Sequence, residues 1–259
     1  MEPLARIFSA TEAGLFTAAA VFARIGAIAF LLPGLGERGI PVRLRLGAAF
    51  ALTVLIAPLI APMIPATPQT PEGLARILAA EALTGLAIGI GFRILVFVLQ
   101  IAGTTAAYHL SISHIFGSAV SLEPEPTLAN LLAMGGIVLA LQAGLHIALV
   151  THLVRLYDVV PLGVFLAPGD LAAWSTERVA RGFAIGVALA FPFVAISFAY
   201  NIALGALSRA MPQLLVALVG VPLLVGLGLV TLWTALPEIS RGWGALRYAV
   251  FADPFGPLP

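Results

Sequence analysis

The chain contains no cysteine, which excludes disulfides, thiolate metal sites and cysteine nucleophiles. It contains no lysine either. All 13 basic residues are arginine, and 12 acidic residues balance them to a formal net charge of +1. A nucleic-acid partner calls for a clustered basic face, so this near-neutral balance argues against one. Charge of either sign is scarce, at 10% of 259 residues, against ~25% in soluble domains. With 61% apolar residues, a soluble fold of this length would lack the polar side chain to cover its surface. The chain belongs in a membrane.

What is present instead is a series of long apolar runs. They lie at Ala13 to Leu35, Leu46 to Ile64, Ile77 to Tyr108, Leu128 to Val154, Ala180 to Leu207 and Leu214 to Leu236. Each reaches or exceeds the roughly 17 to 25 residues that cross a hydrocarbon core as a helix. The expectation is an all-α membrane protein with about six apolar helical regions. The first run holds Arg24 inside its apolar part, is long for a secretory signal and ends without a small-residue cleavage site, so it is expected to stay attached.

Helix-start chemistry adds boundaries. Ser9-x-x-Glu12 has the spacing of a capping box. Thr70, Pro71 and Glu72 offer an N-cap, a proline at the first helical position and an acid beside the positive helix end. Thr127 and Asp170 are further candidate starts. Between the second and third runs, "APMIPATPQTPEG" carries four prolines and reads as a stiff connector. No repeat at a fixed period is visible.

Gly34, Gly36 and Gly39 have the G-x-G-x-x-G spacing of a dinucleotide loop. That loop needs a short strand before it, a helix after the third glycine and an acid about 20 residues further on. Here an apolar helix-length run comes first, Pro41 follows Gly39 almost at once, and residues 53–63 hold no acid. The match is coincidental. The stretch reads as a tight polar turn between two membrane helices, with glycines permitting positive backbone angles and Arg38, Arg43 and Arg45 at the interfacial level.

Some runs insert poorly alone. Arg24 costs about 3 kcal/mol near a helix centre, while the large apolar residues around it return ~0.5 kcal/mol each, a marginal balance. Glu81 and Arg93 interrupt the third run, and Pro192 and Pro222 sit within the fifth and sixth. Gly85-x-x-x-Gly89 and Gly182-x-x-x-Gly186 present small faces for close helix contact. Such helices want protein neighbours, which suits a subunit buried in an assembly and also a solute carrier.

Catalytic constellations are thin. His146 and His152 stand about 240° apart on a helix, and no H-E-x-x-H, G-x-S-x-G or P-loop pattern occurs. Glu123 and Glu125 lie in a proline-rich loop and read as solvated, and His146 reads as a hydrogen-bonded helix-packing residue. No catalytic, cofactor or metal site is expected.

Residues 24–58, "RIGAIAFLLPGLGERGIPVRLRLGAAFALTVLIAP", begin Arg-Ile-Gly, run to a proline and a turn, and close with "PVRLR". Residues 201–227, "NIALGALSRAMPQLLVALVGVPLLVGL", hold Asn201, Gly205, Arg209, Pro212, Gln213, Gly220, Pro222 and Gly226 in register with a second signature. Both stretches resemble the FliR family of type III secretion export-gate subunits. Between them, residues 144–163 resemble a family segment with a Gly-His pair and a closing Leu-Pro-x-Gly, although Leu145 here separates Gly144 from His146. Residues 104–126 depart from the family pattern.

The resemblance implies a single export-gate domain over residues 1–259, built of bent helical hairpins packed into a multi-subunit cone, so that six apolar runs need not be six membrane crossings. It implies a non-enzymatic pore subunit at the base of the bacterial flagellum, in the inner membrane. Implied partners are FliP-like and FliQ-like subunits, a FlhB-like subunit, unfolded flagellar substrates and lipid. It places Arg24, Arg43, Arg45, Asn201, Gly205, Arg209, Pro212 and Gln213 at the assembly interface. It also points to the loop at residues 109–126 as a pore plug. Leu110, Ile112, Ile115 and Phe116 are bulky and apolar there, and Gly117 supplies a hinge. An injectisome gate subunit is the alternative within the family. A small secondary transporter is the alternative of another class, though two related halves are not visible.

Overall fold

The computed structural model describes residues 2–37, 39–63, 70–110, 127–210 and 216–259. Among them are seven α-helices: α1 (Glu2–Leu31), α2 (Val42–Ile60), α3 (Pro71–Leu110), α4 (Thr127–Gln142), α5 (Leu145–Val159), α6 (Pro168–Ala210) and α7 (Val216–Ala252). A 3₁₀ turn, Ala61–Met63, follows α2, and the described residues contain no strand. The fold class is all-α.

Several boundaries follow local chemistry. The Gly73 N–H donates to Thr70 Oγ1 at 3.2 Å, and Pro71 opens α3, where its missing donor costs nothing. The last proline of the connector is therefore a helix start. Helix α6 begins at Pro168 with Asp170 in its first turn. Ser9 does not mark the start of α1 as expected: the helix covers Glu2–Leu31, with Ser9 and Glu12 inside it. The fourth apolar run is two helices, not one. Gly144 stands between them at φ 79°, a left-handed conformation that glycine adopts without steric cost, and the axes of α4 and α5 differ by 74°. Pro192, Pro222 and Pro237 all sit inside continuous helices.

Among the described residues, five helices are long and apolar enough to cross a membrane, or six spans if the bent α4–α5 pair counts as one. Helices α3, α6 and α7 have 40, 43 and 37 residues. At about 1.5 Å per residue these reach roughly 55 to 65 Å, well beyond a hydrocarbon core of about 30 Å.

The chain divides into two compact units. The first comprises Met1–Arg93, Ala140–Arg178 and Val250–Pro257. In it, α1 runs parallel to the first part of α3: a Cβ added at Gly85 would collide with the Arg24 carbonyl, and one at Gly89 would lie 3.0 Å from the Leu31 side chain. Helix α2 packs on α1 and touches α5, burying Ala49, Thr53, Ile56 and Ile60 along one face. Helix α5 buries Leu145, Leu149, Leu153, Leu156 and Tyr157 in a stripe. Phe251 closes this core against Phe92 and His152, with ring centroids 4.8 and 5.4 Å away.

The second unit comprises Ile94–Leu139, Val179–Ala249 and Leu258–Pro259. The remainder of α3 forms an antiparallel hairpin with α4, Gly103 opposite Ala129 and Gly136 opposite Leu99. Helix α6 lays Gly182 and Gly186 on Ile94 and Ile101. Helix α7 returns antiparallel, Trp243 Nε1 donating to the Leu95 carbonyl at 2.9 Å and Gly228 lying against Leu110. Both small-residue faces singled out in the sequence are thus occupied by helices of this same chain. Close backbone approach, rather than an exposed docking face, accounts for these glycines.

Candidate functional site

Inside the first unit, α1, α3 and the α5–α6 connection meet at a buried charge pair. Arg24 is 1% exposed and Glu81 is 0% exposed. Arg24 Nε lies 2.7 Å from Glu81 Oε2, and Nη2 donates to Oε1 at 2.9 Å. The third nitrogen, Nη1, donates to the Val160 carbonyl at 3.0 Å. Glu81 Oε1 also accepts the Gly163 N–H at 2.8 Å. The guanidinium carbon stands 4.0 Å from the centroid of the Tyr157 ring. Two charges that each interrupt an apolar run are made tolerable by each other and by the backbone of a third segment. Arg24 therefore faces inward, fully covered by its own unit. The expectation that it contacts another subunit is corrected on that ground.

The turn between α1 and α2 is held by a second set of contacts. Gly34 has φ 90°, and a Cβ at Gly36 would lie 2.6 Å from the Phe30 carbonyl oxygen. Of the three glycines, Gly34 alone needs the left-handed region. Glu37 Oε1 pairs with Arg93 Nη1 of α3 at 2.7 Å, and the Glu37 carbonyl accepts from Arg45 Nη2 at 2.5 Å. Arg45 leans over the Phe30 ring, 5.8 Å from its centroid. The two arginines of "PVRLR" thus diverge: Arg45 turns back onto its own turn, while Arg43 is exposed.

The second signature lies at the end of α6. Of residues 201–210, all but Leu204 are exposed, although the stretch is mainly apolar. Gly205 and Gly226 are exposed with open space where a Cβ would go, whereas Gly220 packs beneath the Tyr200 ring end. Arg209 occupies the last described turn of α6. Asn201 Nδ2 donates to the Ser197 carbonyl at 2.8 Å. Pro212 and Gln213 lie outside the described residues.

Of the expected plug residues, Leu110 is the last residue of α3, fully buried against Gly228. It belongs to the helix and not to the loop, because its side chain fills the space that α7 leaves at a glycine. Ile112, Ile115, Phe116 and Gly117 lie outside the described residues. His146, expected to pack between helices, is on the exposed side of α5. The sequence reading missed Ser197, which is 2% exposed and donates to the His109 carbonyl, and Arg178, which is 2% exposed and donates to the Pro254 and Gly256 carbonyls. Neither carries a local signal, since their partners stand 88, 76 and 78 residues away.

An all-α membrane protein that spends its internal charge on its own fold and leaves an apolar helix end uncovered is a subunit of a larger membrane assembly in type. The family can be given more closely. Residues 15–247 match the family of bacterial export proteins, family 1, and the chain belongs to it. It is 34% identical to the flagellar biosynthetic protein FliR of Caulobacter vibrioides, over 95% of this chain and 98% of that protein. It is 28% identical to the protein of that name from Escherichia coli, over 91% of each chain. For the Bacillus subtilis protein the identity is 26%, over 85% of each.

Proposed function

We propose that the chain is a subunit of the flagellar protein export apparatus, embedded in the bacterial inner membrane at the flagellar basal body, where it forms part of the pore for unfolded flagellar proteins. The observation that carries this reading is the exposed end of α6. A helical, mainly apolar stretch at 201–210 touches little of its own chain, yet bears a signature of the family. Lipid alone would not call for Asn201, Ser208 and Arg209 on the same helix end. Arg43, Asn201, Gly205 and Arg209 are the exposed members of the proposed interface, joined by Pro212 and Gln213.

The partners on this reading are FliP-like and FliQ-like subunits, with a FlhB-like subunit alongside. The chain works as a structural part of the pore rather than as an enzyme, and residues 1–259 act as one export-gate domain. The flagellar reading is favoured over the injectisome one by the flagellar names of the relatives.

The test is affinity purification of the chain from native membranes. FliP-like and FliQ-like chains are expected to co-purify with it. Recovery of a long-lived, monodisperse single chain would overturn the reading in favour of a small transporter.

A further inference from the structure

The Arg24–Glu81 pair is oriented, and its orientation matches what it touches. Val160 follows α5 directly, at φ −125° and ψ 95°, and its N–H donates to the Leu156 carbonyl. Its carbonyl, turned out of the helix by the extended ψ, lies just past the electronegative end of α5, near which a cation is favoured. Arg24 supplies the cation, donating to that oxygen at 3.0 Å. Three residues on, Gly163 turns the chain with φ 79°, close against Ile77, and directs its N–H at Glu81 Oε1, 2.8 Å away. The acceptor is the carboxylate. Each charge thus reads one backbone group of the α5–α6 reversal, one a carbonyl and the other an N–H.

We infer that Arg24 and Glu81 are positioning residues that read the α5–α6 reversal by polarity, so that the orientation of the pair, and not merely its neutrality, fixes residues 160–163. A plain buried ion pair would work equally well reversed. This one would not. A carboxylate at position 24 would face the Val160 carbonyl and the negative end of α5, and a guanidinium at position 81 would face the Gly163 N–H with no acceptor to offer it. Lysine at position 24 would keep the charge but lose the planar fork that spans Glu81 and Val160 together. The inference does not depend on the export role, because its first readout is the local structure of the loop.

The absence of cysteine makes the experiment direct. Leu162, 9% exposed between the two contacted residues, is replaced by cysteine in the full chain and labelled in membranes with a maleimide. In the background carrying Arg24 and Glu81, Leu162→Cys is expected to be protected. Adding Arg24→Glu together with Glu81→Arg is expected to raise its labelling rate by roughly tenfold or more, since hydrogen bonds to charged groups are lost at both ends of the loop. Adding Arg24→Lys alone is expected to raise labelling in the same direction while the chain still accumulates. Protection in the reversed pair equal to that of the original would overturn the inference, leaving an ordinary ion pair. If the reversed pair does not accumulate, the lysine variant decides: unchanged protection there overturns the inference equally. Co-purification of partners, measured on the same membranes, reports separately on the export reading.

Discussion

Ser197 and His109 are joined across two helices: the hydroxyl on α6 donates at 2.8 Å to the His109 carbonyl on α3. Ser197 is 2% exposed, and a buried hydroxyl left without a partner is costly. Asn201, one turn along α6, donates in turn to the Ser197 carbonyl. A signature residue expected at an intersubunit contact is thus also a brace inside its own helix. The proposed plug follows α3 in the sequence, so a contact that holds residue 109 bears on the pore.

Ser197→Ala removes the donor and is expected to cost about 0.5 to 1.5 kcal/mol locally, the net worth of one hydrogen bond whose acceptor sits on an exposed residue. Hydrogen exchange in the purified complex checks this. Amides in the last turn of α3 are expected to exchange faster, while those around Leu95, held by Trp243, stay unchanged. Unaltered exchange at 107–110 would show that the hydroxyl does not hold this helix end.

Gly85→Ala places a methyl group against the Arg24 carbonyl and Ala27, where α1 and α3 touch backbone to backbone. Overpacking of this kind costs roughly 1 to 3 kcal/mol. Gly26 has nothing within 4 Å of an added Cβ, so Gly26→Ala is expected to gain helix propensity, about 0.5 to 1 kcal/mol. Steady-state levels of the two variants in the membrane should therefore move in opposite directions. Equal levels would mean that the α1–α3 contact does not limit stability.

The apolar runs at the middle of each helix are plain in the sequence because a membrane helix needs them. The ends are not, because α1 and α7 continue through residues that solvent or a neighbouring subunit can also accommodate, such as Glu238 and Arg241, which pair with each other at 2.9 Å in the open. The break at Gly144 was hidden within one continuous apolar run, since a single left-handed glycine is enough to turn the chain. Arg24 and Glu81 were each conspicuous as charges in apolar runs. Their pairing was not, because it spans 57 residues, and the loop that completes it lies 136 residues from Arg24.

Arg209→Ala and Gly205→Leu test the exposed end of α6. Both residues are exposed in this chain, and Gly205 has open space around it, so neither change should disturb the chain's own fold by more than ~0.5 kcal/mol. Both are expected to reduce motility and co-purification of the partner subunits together. Motility lost with assembly intact would remove the packing role proposed for this end.

The plug requires a sharper deletion than the loop's sequence alone suggests. A pore wide enough for an unfolded chain would dissipate the membrane potential unless something closes it at rest. On the proposed reading, the bulky apolar side chains of Ile112, Ile115 and Phe116 would close the pore, and Gly117 would supply the hinge. Leu110 does not belong with them, because it is buried at the end of α3 against Gly228. Deleting residues 111–119 is therefore expected to leave an assembled but leaky gate, seen as slowed growth and uptake of ions or small solutes by cells making it. Leu110→Ala, by contrast, empties a packed site and is expected to cost about 2 to 5 kcal/mol, lowering the amount of assembled complex rather than its seal. Permeability per assembled complex separates the two. A deletion variant as impermeable as the unaltered gate would end the case for a plug in this loop.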